Sequence, residues 1–261
     1  MTQLKGYVNT EYLQTVGEFI SNLKQRSYTL MQIHPGQTIL DVGCGPASDT
    51  IQLAHLVGQV GKVFGVDHDQ NMIDEAEKCA EIAGVSGWVK HKCADSGSLP
   101  FETNTFDACR SERVFQHLLD PEQTLSEMIR VTKVGGRVVV LDTDWSSFSI
   151  DTPEVDIERR LARVNAERVL NNGYSGRQLY RLFKRQELTD ITIEIHPLVV
   201  TDYTFARQCA VLDEIEYIAL TEYSFTDQEI QRWHTYLEQA DVNGTFFGSI
   251  NQVMAVGRKP R

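Results

Sequence analysis

The sequence predicts an α/β fold built on a doubly wound, mostly parallel sheet, and three observations carry that prediction. Short runs rich in Val, Ile and Phe recur through the first 145 residues. Amphipathic stretches of helical period separate them. The first run ends in a glycine-bearing turn that opens into one of those stretches. Strands joined through helices pair in parallel by right-handed crossovers. In such a sheet a ligand sits beyond the carboxyl ends of the strands, where the strand order reverses.

In chain order, strands are expected at Thr38–Val42, Lys62–Val66, Trp88–Cys93, Phe106–Arg110 and Arg137–Leu141. The helix over Ser48–Val57 has Ile51, Ala54 and Val57 on one side, and that over Asn71–Ala83 has Met72, Ala76, Ala80 and Ala83. Asp120-Pro121-Glu122-Gln123 reads as a helix start, with Asp as cap and Pro in the first turn. That helix is expected to bury Leu125, Met128 and Ile129 and to stop at Gly135-Gly136. Further on, Thr152–Asn171 and Ser175–Arg185 read as helices, the second capped by Ser175, and Thr189–Ile195 and Val253–Val256 as strands. Thr226-Asp227-Gln228-Glu229 is a capping box, with Phe225 and Ile230 placed as a hydrophobic staple. No Pro- or Gly-rich linker and no internal repeat divides the chain. One domain is therefore expected: a helical cap over 1–35, a ligand-binding core over 36–145, and further cap helices with the last strands over 146–261.

The 261 residues are 41% hydrophobic and carry a formal charge of −11, a surface that repels phosphate backbones, so no nucleic-acid partner is expected. No apolar run is long enough for a membrane span, and Met1 to Asn9 does not read as a secretory signal. Five cysteines without paired spacing argue against a disulfide framework and a zinc site, so a reducing cytoplasm and no metal are expected.

The chemistry concentrates at predicted strand ends. In Ile39-Leu-Asp41-Val-Gly43-Cys-Gly45-Pro-Ala47, the glycines permit close ligand approach. Asp41 would oppose a pyrophosphate but suits an ammonium group, and Ser48 stands where a dinucleotide fingerprint has its third glycine. Asp67 ends the second strand, where a carboxylate accepts ribose hydroxyls; Asp69 can cap the next helix and leave Asp67 free. Asp95 follows the third strand, as an acceptor for an adenine amino group or as an ordinary turn residue.

Together these residues resemble the class I S-adenosylmethionine-dependent methyltransferases, in particular the small-molecule branch similar to ubiquinone and menaquinone C-methyltransferases. The resemblance rests on Asp41-Val-Gly-Cys-Gly45, Gly65-Val-Asp67-His68 through Met72 and Ala76, Cys93-Ala-Asp95, Leu99-Pro-Phe101, Phe106-Asp107 and Glu127-Met-Ile-Arg130-Val with Gly135-Gly136, and it covers roughly residues 36–143. It departs from the family at Ala47, where a third glycine is usual. The resemblance implies a seven-stranded sheet, S-adenosylmethionine as cofactor with S-adenosylhomocysteine as product, and a small-molecule acceptor. By the same resemblance Asp41 and Gly43 serve the methionine end, Asp67 the ribose, and Asp95 with Met72 and Ser96 the adenine, and Gly45 and His68 are also counted as cofactor-binding. Arg110 would pass near the methionine end through its backbone.

In-line displacement can rest on positioning alone, so no base is obligatory. If one is used, His117 and Asp144 are the candidates, with Glu112 behind them. Arg113 and Trp145 are candidate substrate contacts, Trp145 also as a cation–π partner. Tyr7, Tyr12, Tyr174, Tyr203, Tyr217 and Tyr223 can line an acceptor pocket or simply pack. A secondary metabolite or similar modest-sized acceptor is the expectation. Three alternatives stand beside it: a nicotinamide-dependent oxidoreductase, a catalytically silent methyltransferase-like binding protein, and a protein or RNA methyltransferase.

Overall fold

Alternate residues of the central strands serve opposite faces of one sheet. Ile39 on β1 (Thr38–Val42) and Val139 and Leu141 on β5 (Thr132–Ile150) pack on one face, while Leu40, Val42, Val138 and Val140 pack on the other. The computed structural model describes residues 16–261, so Tyr7 and Tyr12 lie outside the described residues. Between β1 and β5 come β2 (Lys62–Asp67), β3 (Val89–Cys93) and β4 (Phe106–Glu112), and after β5 come β6 (Thr189–Val200) and β7 (Gly248–Arg258). The seven strands lie in the order β3-β2-β1-β4-β5-β7-β6. The first five pair in parallel, and β7 runs antiparallel to both β5 and β6. The strand order reverses between β1 and β4, so the crevice beyond their carboxyl ends is where a ligand belongs.

Helices α1 (Ser21–Met31), α2 (Ser48–Val57) and α3 (Gln70–Ile82) cover one face through Leu23, Met31, Leu53, Val57 and Ala80. Helices α4 (Pro121–Val131) and α6 (Ser175–Arg185) cover the other through Leu125, Met128, Leu179 and Phe183. A separate apolar cluster forms at the carboxyl end of β5. There Phe148 and Ile150 pack with α5 (Val155–Val164), α7 (Tyr203–Cys209), α8 (Leu212–Glu222) and α9 (Asp227–Val242), around the fully buried Trp233.

Three local expectations change in the structure. Helix α4 stops at Val131, before the glycines, because tertiary donors satisfy its last carbonyls. Asn104 N donates to Arg130 O at 3.0 Å, Thr105 N to Val131 O at 2.8 Å, and Lys259 Nζ also reaches Arg130 O. Gly135 (φ +78°) instead forms the turn into the paired part of β5, its amide donating to Lys259 O. The helix expected over 152–171 is shorter: α5 ends at Val164 and a π-turn spans Asn165–Val169. The chain then folds back so closely at Gly173 that a Cβ there would stand 2.4 Å from Ala166 Cα. Ser175 does not cap α6, because its hydroxyl donates to Asp142 Oδ1 at 2.7 Å. By contrast, Asp120 caps α4, and Thr226 and Glu229 form the capping box on α9.

Candidate active site

A cleft of about 700 Å³ opens beyond the carboxyl ends of β1 to β4, within the ~300–1,000 Å³ usual for small-molecule sites. Gly43 and Gly45 form one wall, with φ of +77° and +50°. A Cβ on Gly43 would stand 2.1 Å from Val114 Cγ2, so both the turn and the space demand glycine. Ala47 takes the same left-handed conformation (φ +74°) directly before α2, as a non-glycine residue.

Asp67 stands at the end of β2 and faces this wall. Its Oδ2 accepts from Gly45 N and its Oδ1 from Asp69 N, each at 3.0 Å. Burial opposes ionisation, but His68 and those two amides hold the carboxyl below its usual range, so it is an anion at neutral pH. Asp69 caps α3 by accepting from Asn71 N at 2.9 Å, which leaves Asp67 to the cleft. His68 and Met72 line the cleft beside it. Asp95 and Ser96 line the far side. Asp95 Oδ1 closes a turn on Gly97 N at 2.8 Å, and Ser96 Oγ pairs with Thr124 Oγ1 at 3.0 Å.

Asp41 and Arg110 do not line the cleft. The Arg110 side chain, where only backbone was expected near the ligand, fills a buried ion network just behind it. Arg110 Nη1 lies 3.2 Å from both Asp41 and Asp49, and Nη2 lies 2.6 Å from Glu112. Lys24 on α1 bridges Asp49 at 2.6 Å and Glu112 at 2.9 Å, and the Tyr28 hydroxyl donates to Asp49. Burial pushes the Asp41 carboxyl up against the pull of Arg110, whereas Arg110 and Lys24 overcome burial at Asp49 and hold it down. Glu112 is the member of this network that borders the cleft.

The opposite wall is the turn after β4. His117 borders the cleft, and its imidazole is pushed down to about 4 by burial, with Arg113 and His68 adding to the effect. It is therefore neutral at physiological pH. Arg113 (φ +52°) borders this cleft and also a second, smaller cavity of about 60 Å³ lined by Trp145, Phe148, Phe205, Ala206, Cys209 and Ile250 among others. Trp145 thus lies in the smaller cavity rather than on the cleft. Asp144 lines neither; both its oxygens accept from Arg177 Nε, at 2.9 and 2.8 Å. Of the described tyrosines in the sequence reading, none lines either cavity.

Sequence reasoning missed Gln116 and Asp142. Asp142 is fully buried and accepts from Ser175 Oγ and from Gln116 N at 3.2 Å, tying the turn after β4 to the start of α6. Its position one strand away, 26 residues on, leaves no local signal. Gly176 lets α6 approach this point, since a Cβ there would stand 2.8 Å from Asp144 N. Among the described residues, no helix is long and apolar enough to cross a membrane.

Comparison with known proteins shows the family and the fold. A family model described as a methyltransferase domain matches residues 33–241. An uncharacterised 37.1 kDa protein in a transposon of Streptomyces fradiae is 32% identical over 228 residues, covering 87% of this chain and 64% of that protein. A demethylmenaquinone methyltransferase of Desulfitobacterium hafniense is 33% identical over 119 residues, covering 46% of this chain and 47% of that enzyme. The chain thus spans about half to two thirds of the length of these curated relatives. The YcgJ protein of Bacillus subtilis superposes with a TM-score of 0.64 at 18% identity, over 94% of this chain and 99% of that one.

Proposed function

The chain belongs to the methyltransferase-domain family, and from that premise we propose that it transfers a methyl group from S-adenosylmethionine to a small-molecule acceptor. One observation carries this reading: an ionised Asp67, fixed by two backbone amides, stands beside two positive-φ glycines on the wall of a cleft of suitable volume. An anion there accepts a pair of ribose hydroxyls, and the glycines admit a ligand to backbone contact. The residues fit the cofactor. Asp67 and His68 would hold the ribose, Met72, Asp95 and Ser96 the adenine, and Gly43 and Gly45 the methionine end. Asp41 would act there through Arg110 and Glu112 rather than by its own contact.

When bound, the cofactor supplies an electrophilic methyl group on a sulfonium. The chain's own residues position the acceptor and exclude water, which suffices for an in-line displacement. Arg113 stands between cleft and apolar cavity, so an acceptor with an apolar part can seat that part against Trp145 and Phe148. The whole chain then works as one domain, with 146–261 supplying the acceptor side. The net charge of −11 favours a small molecule over a nucleic acid.

Calorimetric titration of the purified protein with S-adenosylmethionine, against NAD as control, tests the reading. Micromolar binding of the methyl donor alone is the expected result, followed by methyl transfer to one member of a panel of small acceptors. Binding of NAD alone, or of neither ligand, would overturn it.

A further inference from the structure

The hydrogen-bond chain that ends at His117 can be assigned atom by atom from chemistry alone. An indole nitrogen can only donate. Trp145 Nε1 lies 2.7 Å from one side-chain atom of Gln116, so that atom is the carbonyl oxygen. With the amide oriented in this way, its nitrogen faces His117 Nε2 at 3.0 Å. An amide nitrogen also only donates, so His117 Nε2 must present a lone pair. A neutral imidazole with its lone pair on Nε2 carries its proton on Nδ1. That Nδ1 atom is buried and, among the described residues, has no hydrogen-bond partner.

The main chain of the turn is clamped independently. Gln116 N donates to Asp142, Asn172 N donates to Gln116 O at 2.9 Å, and Asn171 Nδ2 donates to His117 O at 2.8 Å. The side-chain relay is therefore not needed to hold the loop. What it adds is the choice of tautomer.

We propose that Trp145 and Gln116 are positioning residues that lock His117 as the Nδ1–H tautomer, so that its Nε2 lone pair is already engaged and the imidazole does not act as the proton acceptor of the cleft. The bearing on the reaction rests on the methyltransferase reading above; the tautomer does not. Burial keeps the imidazole uncharged, in line with a single proton on the ring.

The test is a long-range proton–nitrogen correlation spectrum of the full chain labelled at histidine. The His117 signals, one set among seven histidines, are assigned by their loss in His117→Asn. The wild type should show a protonated Nδ1 and an unprotonated Nε2, without any ligand. Gln116→Glu replaces the amide donor by a carboxylate acceptor and should move a proton onto Nε2. Trp145→Phe removes the group that orients the amide and should give a tautomer mixture. A wild-type Nε2–H tautomer, or an Nε2 that stays unprotonated in Gln116→Glu, would overturn the proposal. Failure of the wild type to bind the cofactor would sink the methyltransferase reading while leaving the tautomer spectrum to be judged separately.

Discussion

Asp41 on β1 and Arg110 on β4 are direct register partners in the parallel pair, and their side chains meet at 3.2 Å behind the cleft. Neither is exposed to solvent by more than 1%. Arg110 is the charge that three buried carboxylates share, with Lys24 the second cation. Arg110→Leu should therefore lose about 3–5 kcal/mol, because uncompensated buried charge remains. Urea unfolding measures it; a loss below 1 kcal/mol would mean that the network relaxes or takes up protons instead.

Gly43→Ala puts a methyl group into Val114 and asks a residue with a side chain to hold φ near +77°. Together these should cost about 2–5 kcal/mol. Val114→Ala relieves the first fault and not the second. The double variant should be more stable than the sum of the singles by about 1–3 kcal/mol, as read from thermal unfolding. Strict additivity would show that the clash is absorbed elsewhere.

Asp67 and Asp69 are two residues apart and have different tasks. Asp67→Ala should weaken S-adenosylmethionine binding at least tenfold, about 1.4 kcal/mol. Asp69→Ala removes a helix cap and should cost about 1 kcal/mol of stability, with affinity nearly unchanged. Titration and unfolding of both variants check the separation, and equal effects on affinity would contradict it.

Burial raises the Asp142 carboxyl to about 6, against the pull of Ser175 and of backbone amides. The folded protein thus holds this proton more tightly than the unfolded chain does. Its contribution is fully present below about pH 4 and is lost as pH rises through about 6, up to ~3 kcal/mol in all. The stability of the wild type relative to Asp142→Asn should fall across that window. A flat difference between the two pH curves would show that Asp142 is not protonated in the folded state.

The half of the molecule that carries β1 to β4 is legible because its signals are local. Asp41, Asp67 and Asp95 stand at or just beyond strand ends, and Gly43 and Gly45 mark the backbone angles that the turn requires. The rest depends on partners far apart in the chain. Arg110 meets acids at positions 41 and 49, and Asp142 takes the Ser175 hydroxyl that looks like a helix cap from sequence. The stop of α4 has the same origin, since Asn104, Thr105 and Lys259 supply what a C-terminal glycine otherwise would. His117 is visible in the sequence, but its tautomer depends on Trp145, which reaches it only through Gln116.

The last strand in the sequence, β7, is inserted between β5 and β6 rather than added at an edge. While the chain is being synthesised, β6 has no hydrogen-bonded neighbour in the sheet until residues 248–258 have emerged. Helices α7 to α9, which lie between β6 and β7 in sequence, are held over an open seam until then. The β5-β7-β6 side of the sheet is accordingly completed late, after β1 to β5 can all have paired. A ribosome stalled short of Gly248 would carry a nascent chain in which β5 and β6 each expose an edge that β7 covers in the finished sheet, a state suited to chaperone capture and to wrong pairing with neighbouring chains.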